Sequence, residues 1–306
     1  MTLEEIRPQI DMVDKEIREL FIRRMHLAEQ VAKVKAETED TIYKPDREKA
    51  ILENRSKGMD EDLKMEYRAL LKRVMEVSRK YQYGLTLRLR DCFPYEYERG
   101  GRALRPKNAG MIRDQLYLMT ILHGDGPISR QIPEMMTGGG SIHGAKNYAE
   151  LAELILNGTL QEGIGVIEEI GKGVSHELNA MLLSRGFYIN FCEVVRDGDR
   201  KLKVVGFSSR NVVEEDHNRL KIVFTVPNRS GSLASILSMI ADYEADITEI
   251  HSIPFEEEGE NWNYRFFLEL NINLLDPLSQ ALVYQLSEET EQMKLLGSYY
   301  CEGDFE

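Results

Sequence analysis

Apolar residues recur at three- and four-residue steps from Leu3 to about Lys35: Ile6, Ile10, Val13, Ile17, Leu20, Phe21, Leu27, Ala28, Val31 and Val34. The spacing predicts one amphipathic helix of about 30 residues, roughly 45 Å long at 1.5 Å per residue. Pro8 falls in its first turns, where a missing N–H costs little. A stripe of that length exceeds what one small domain can cover, so the pattern asks for a partner chain. A loop is expected at Glu37–Lys44. A second helix is predicted from Pro45 to about Ser56, ended by Gly58, and Asp60 caps a third helix reaching about Tyr83. The first 83 residues are thus expected to be all-α.

Past Tyr83 the helical period stops. Residues 84–113 mix a short alternating stretch with Gly, Pro and Arg, and are expected to be a linker with some structure of its own. Residues 114–215 alternate in character. QLYLMTIL, EGIGVI and KLKVVGFS predict strands, while NYAELAELILNG and HELNAMLLSRG predict helices ending at Gly158 and Gly186. Together they describe a small α/β unit. From 216 to 306 the pattern reads strand LKIVFTVP, helix SGSLASILSMIADYEA, strands DITEIHSIP and WNYRFFLELNI, helix DPLSQALVYQLSEETE and strand KLLGSYY. That order, βαββαβ, is ferredoxin-like.

Length and composition fit this multi-domain picture. A chain of 306 residues suggests two or three domains, and 42% hydrophobic with 30% charged residues is the mix of a soluble globular protein. No apolar run of about 18 residues predicts a membrane span, and the acidic, amphipathic start lacks the basic and apolar blocks of a secretory signal. Cys92, Cys192 and Cys301 are odd in number and far apart, which suggests neither a disulfide framework nor a metal site and fits a reducing cytoplasm. The net charge of -13 argues against a nucleic-acid partner. That charge is uneven: residues 1–83 carry 18 Lys/Arg against 18 Asp/Glu, so the helical segment is neutral and can still gather cations into one pocket.

The polar residues of the three helices are the candidates for chemistry: Arg7, Arg24 and Lys35 on the first, Arg47 and Glu48 opening the second, and Ser78 and Gln82 four apart on the third. Singly, such residues on amphipathic helices are usually solvated. Their order says otherwise. IRPQIDMVDKEIRELFIRRMHLAEQVAKVK resembles the first helix of all-helical chorismate mutases, with an Arg before I-D-x-x-D, an Arg before x-x-L-A and a closing Lys. IYKPDREKAIL resembles the start of that family's second helix, and Ser78 with Gln82 matches its Ser-x-x-x-Gln.

The resemblance implies an intertwined homodimer with two identical sites for chorismate, a dianion, and no cofactor. Arg7 would reach a substrate carboxylate from the partner subunit, while Arg24 and Arg47 would hold carboxylates from within. Lys35 and Gln82 would donate to the ether oxygen, Glu48 would accept from the ring hydroxyl, and Ser78 would support these contacts. One position departs: Lys44 stands where the family often has an acidic residue that helps hold the hydroxyl. The implied reaction is a concerted Claisen rearrangement to prephenate, which needs orientation and fixed donors rather than a nucleophile or a metal.

Two further resemblances cover the rest. VPNRSGSLASIL, ITEIHSIP and MKLLGSYY resemble the ACT domain that follows prephenate dehydratases. This implies an amino-acid pocket at Asn228, Gly231, Ser232, Leu233, His251 and Ser252, with phenylalanine as the default effector, although His251 and Ile253 stand where Glu and Arg are usual. The middle resembles a prephenate dehydratase in part: GDGPISRQIPEMM is similar to its opening loop, but Glu168–Gly171 reads E-E-I-G, not E-N-S-x, and KLKVVGFSSR replaces the Thr-Arg-Phe motif. About 100 residues hold one lobe, not the two a cleft needs, so a reduced, inactive dehydratase-like domain is expected. Gly138–Gly140 lacks a phosphate-loop frame and reads as a flexible loop, and His143 and His176 are too isolated to suggest a metal. The leading expectation is a chorismate mutase with an ACT domain. The alternatives are a bifunctional mutase and dehydratase, and a non-catalytic amino-acid sensor whose helices only dimerise.

Overall fold

The structure is a computed structural model that describes residues 2–100, 108–112, 141–197, 200–257 and 261–302. The chain forms two compact units, Met1–Pro94 with Gln280–Glu289, and Tyr95–Ser279 with Thr290–Glu306.

The first unit is built on α1 (Leu3–Thr38), α2 (Pro45–Arg55) and α3 (Glu61–Leu89), as the periodicity predicts. At the start of α1 the Thr2 amide donates to the Glu5 carboxylate at 2.8 Å, which satisfies one orphan N–H. In the single chain α1 buries only Ala28 and Ala32, while Val13, Ile17, Leu20, Leu27, Val31 and Val34 lie exposed. The inner face of α3 repeats at Met75, Ser78, Arg79, Gln82, Tyr83 and Thr86, all buried. Four of those six are polar, an expensive choice for a face that only packs.

The expected linker at 84–113 is corrected. Residues 84–89 continue α3, β1 (Glu98–Gly100) pairs in parallel with a later strand, and β2 (Asn108–Ile112) enters the main sheet. The reading failed because NAGMI is only five residues long and flanked by Gly, Pro and Arg, so it shows no period.

The second unit continues with β3 (Ser141–Ala145), α4 (Tyr148–Leu156), β4 (Glu162–Glu169), β5 (Gly173–Val174), α5 (His176–Arg185), β6 (Tyr188–Asp197), β7 (Arg200–Ser208) and β8 (Val212–Glu214). Then come β9 (Arg219–Thr225), α6 (Ser232–Asp242), β10 (Asp246–Glu257), β11 (Asn261–Asn271), α7 (Pro277–Glu289) and β12 (Glu291–Tyr299). Side chains of Asn147 and Ser175 cap α4 and α5, and Gly186 ends α5 at φ 68°. The predicted strand QLYLMTIL, the segment GDGPISRQIPEMM and Gly138–Gly140 lie outside the described residues.

The last four strands run β10-β11-β9-β12, the ferredoxin-like order expected for βαββαβ. They do not stand apart from the middle segment. Among the described residues one sheet continues β12-β6-β7-β4-β2-β3, with β5 on β4, so the expected division at residue 216 falls inside a single sheet. The seam is the Gly297–Ile189 pair of β12 and β6. Gly297 has φ 143°, and a Cβ there would sit 2.1 Å from the Ile189 carbonyl oxygen, so only glycine allows the two strands to meet. The sheet also bends sharply. Lys203 on β7 donates to Glu269 on β11 at 2.7 Å, although four strand spacings of about 4.8 Å separate those strands along the sheet. Burial raises the Glu269 carboxyl's pKa, but Lys203 and Lys221 outweigh it and hold the group below the usual carboxylate range. Lys221 is itself buried and pairs with Glu249 at 2.7 Å.

The expected independence of the C-terminal module is corrected at a second point. Residues 280–289 of α7 belong to the first unit, where Tyr284 meets Tyr83 edge-on at 5.2 Å between ring centroids. Ala281, Leu282, Val283, Gln285 and Leu286 are all buried, so α7 is covered on more than one face, unlike a helix with one side in water.

Candidate active site

The helices of the first unit line a half-open pocket of about 250 Å³. Helix α1 sends Arg24, Ala28, Val31 and Lys35 into it, spaced by three and four residues along one face. The loop before α2 adds Ile42 and Lys44, α2 adds Arg47, Glu48 and Ile51, and α3 adds Met75, Ser78, Arg79 and Gln82. Six of the seven residues singled out in the sequence therefore line one cavity. The seventh, Arg7, is exposed and lies about 25 Å from Arg24 along α1, at 1.5 Å per residue.

The Arg24 guanidinium donates to the Val74 carbonyl at 3.2 Å and to the Ser78 hydroxyl, which in turn donates to the Val74 carbonyl at 2.7 Å. Ser78 thus ties Arg24 to the Val74 carbonyl. Burial lowers the Arg24 pKa, and Glu48 opposes that shift. The Lys35 ammonium donates to the carbonyls of Thr41 and Ile42 at 2.7 and 2.9 Å and so anchors the loop that roofs the site. Those bonds use two of its three N–H donors. Its pKa is lowered chiefly by burial, with Lys44 and Arg47 adding to the shift and Asp40 and Glu48 opposing it.

Two further lining positions have partners within the chain. The Gln82 amide nitrogen donates to the Ser78 carbonyl at 3.2 Å, inside its own helix, and its amide oxygen is buried without a partner. Lys44 lines the cavity and pairs with Asp40 at 2.5 Å, so an acidic side chain does accompany the position, from four residues earlier in the same loop.

Sequence reading missed Arg79. Its Nη1 donates to both Glu48 oxygens at 2.5 and 2.6 Å, and the guanidinium lies 4.7 Å above the Tyr43 ring. Burial works against its charge, but Glu289 and Glu48 prevail and raise its pKa. The available signal was its register: 75, 79 and 83 share the inner face of α3, and an arginine there needs a reason.

In the second unit the effector candidates form two groups. Asn228 is exposed on the turn out of β9, and Gly231 (φ 84°), Ser232 and Leu233 open α6. His251 and Ser252 lie on β10, with β11 between that strand and β9. The His251 ring stacks on Phe267 at 4.8 Å between centroids, and its Nδ1 is 2.8 Å from Glu249. His176 is less isolated than its sequence position suggests, with its ring 6.0 Å from that of His251. Among the described residues no cluster of His, Cys, Asp or Glu could hold a metal ion. Cys192 and Cys301 do meet, 3.4 Å apart as buried thiols, and burial raises the pKa of Cys192. No described helix is long and apolar enough to cross a membrane.

Three helices around a cation-rich cavity, with one carboxylate among the cations, define a helical domain for a small polyanion. Residues 6–83 match the family described as chorismate mutase type II, and the N-terminal segment is a chorismate mutase domain of that family. A bifunctional chorismate mutase/prephenate dehydratase of Aquifex aeolicus is 22% identical over 362 aligned positions, covering 97% of each chain. That alignment is longer than the 306 residues here, so part of the relative faces gaps. Among solved structures, one described as GqqA, a novel type of quorum quenching acylase, has a TM-score of 0.52 at 20% identity, over 63% of this chain and 94% of that one. Prephenate dehydratase from Streptococcus mutans has a TM-score of 0.50 at 16% identity, over 64% of this chain and 98% of its own. These likenesses give the chain a dehydratase-like α/β fold beyond the helical domain.

Proposed function

We propose that the chain rearranges chorismate to prephenate in the α1–α2–α3 cavity, as a homodimer, and supplies aromatic amino-acid biosynthesis. The observation that carries this reading is the convergence of Arg24, Lys35, Arg47, Glu48, Ser78 and Gln82 on one cavity. Chorismate is folded with its enolpyruvyl arm over the ring, and orientation supplies much of the rate. Arg24 and Arg47 grip carboxylates, a task for which the guanidinium fork is better shaped than an ammonium. Arg7 of the partner subunit completes the grip. Lys35 and Gln82 donate to the ether oxygen as its C–O bond stretches, and Glu48 accepts from the ring hydroxyl.

The dehydratase-like segment is catalytically silent in this reading. The E-E-I-G sequence at Glu168–Gly171 supports that view. The bifunctional description of that relative favours a second reading, in which both activities survive. Incubation of the purified protein with prephenate decides between them. The expected result is turnover of chorismate with no phenylpyruvate formed from prephenate; enzyme-dependent phenylpyruvate would establish the bifunctional reading.

The βαββαβ module is read as an ACT domain whose default ligand is phenylalanine, held by Asn228, Gly231, Ser232 and Leu233 with His251 and Ser252. Gly231 supports this: its left-handed φ of 84° has open space around it, so the backbone at the start of α6 can approach a ligand. Calorimetric titration is expected to show phenylalanine binding that Gly231→Val removes. Absence of binding by phenylalanine, tyrosine and tryptophan alike would leave the module a structural one.

A further inference from the structure

We propose that Glu289, on α7, is a positioning residue for the mutase site, acting through Arg79 on Glu48. The inference rests on the reading of Glu48 as the acceptor of the substrate hydroxyl. Arg79 divides its guanidinium between two carboxylates. The Nε–Nη2 edge, its two-pronged side, is committed to Glu289 at 2.8 and 3.0 Å, and only Nη1 is left for Glu48. Glu289 is held in turn by Gln285, whose amide donates to the same carboxylate at 2.9 Å. The side chains of Arg79 and Glu289 are 9% and 5% exposed, whereas Glu48, at 22%, faces the cavity.

The division of the fork matters for the chemistry. A carboxylate offers about four lone-pair sites, and a bidentate arginine would occupy the pair that best meets a ligand. With its fork turned to Glu289, Arg79 meets both Glu48 oxygens through the single Nη1 and leaves their remaining lone pairs able to accept from a hydroxyl. Without the Glu289 charge, Arg79 is free to turn both prongs onto Glu48 and compete with the substrate. Sequence distance conceals this link, since the two partners lie 210 residues apart.

The test compares wild type, Glu289→Gln, Arg79→Met and the double variant in steady-state chorismate kinetics. The glutamine keeps shape and removes charge. For Glu289→Gln the expected result is a KM increase of about tenfold with kcat within about twofold, the signature of lost binding common to ground and transition states. In the Arg79→Met background Glu289→Gln is expected to change nothing further, and Glu289→Asp alone to recover part of the KM. Wild-type KM in Glu289→Gln would overturn the proposal, and so would a full Glu289→Gln effect that persists without Arg79. A fall in kcat at constant KM would mean a loss of folded protein and would overturn it too. A wild-type protein without chorismate turnover would overturn the mutase reading itself, a result distinct from all of these.

Discussion

Lys35→Ala is expected to lower kcat/KM for chorismate by two to three orders of magnitude, and Arg24→Ala to do the same, while both variants keep the helical circular dichroism and the solution mass of the wild type. The magnitude follows from where charge develops. In the Claisen step negative charge builds on the ether oxygen, and a donor fixed on that atom stabilises the transition state more than the ground state. Loss of one such donor typically costs about 10²–10³ in rate, or roughly 3–4 kcal/mol. Lys35 is suited to that role because it is already held: its bonds to the Thr41 and Ile42 carbonyls aim the ammonium before substrate arrives. Its half-buried setting also strengthens the interaction relative to water. Neither substitution touches the exposed apolar stripe of α1, so association is expected to survive. Near-normal kcat/KM in either variant would refute the site assignment.

The same lysine is expected to set the alkaline limit of activity. Burial depresses its pKa, so the donor is lost as pH rises through a value below the ordinary lysine range, and kcat/KM falls there. Stability moves the other way. Between the folded and unfolded pKa values of this lysine the unfolded chain binds more protons, so this group makes folding more favourable as pH rises. The expected alkaline loss of activity would therefore reflect titration of the site rather than unfolding, and thermal melts across that window separate the two.

What the sequence showed and what it hid divide along a physical line. The helices of the first unit were legible because α1 and α3 repeat at the helical period over many turns. The cavity was legible because six of its residues follow a known order. Arg79 escaped a reading that jumped from Ser78 to Gln82, although its place between Met75 and Tyr83 marks it as buried. Glu289 could not be found from local pattern, because its meaning depends on a fold that returns α7 to the first unit. Lys203 and Lys221 were hidden for a related reason: lysine in a strand reads as a solvent-facing residue until Glu269 and Glu249, from other strands, are known to meet it. β6 was passed over because a register shift between Ile189 and Phe191 breaks its alternation, and the seam at Gly297 was invisible because a glycine in a strand signals close approach without naming its partner.

Two inactive proteins are expected to make one active one. Arg7 is too far from its own cavity to serve it, yet α1 spans Leu3–Thr38 with its midpoint between residues 20 and 21. Two copies of α1 packed antiparallel about that midpoint would set Arg7 of one chain at the level of residue 34 of the other, roughly beside Lys35. The exposed Val13, Ile17, Leu20 and Val31 supply the apolar surface such a pairing would bury. In a two-fold dimer each cavity then depends on Lys35 from one chain and Arg7 from the other. Arg7→Ala and Lys35→Ala homodimers each carry two damaged sites. A heterodimer of the two collects both lesions in one site and leaves the other intact, so heterodimer purified through two different tags should recover about half the wild-type rate, one site of two. If Arg7 acted within its own chain, the heterodimer would hold two singly damaged sites and stay as inactive as its parents, and the intertwined arrangement would have to be abandoned even with the mutase reading intact.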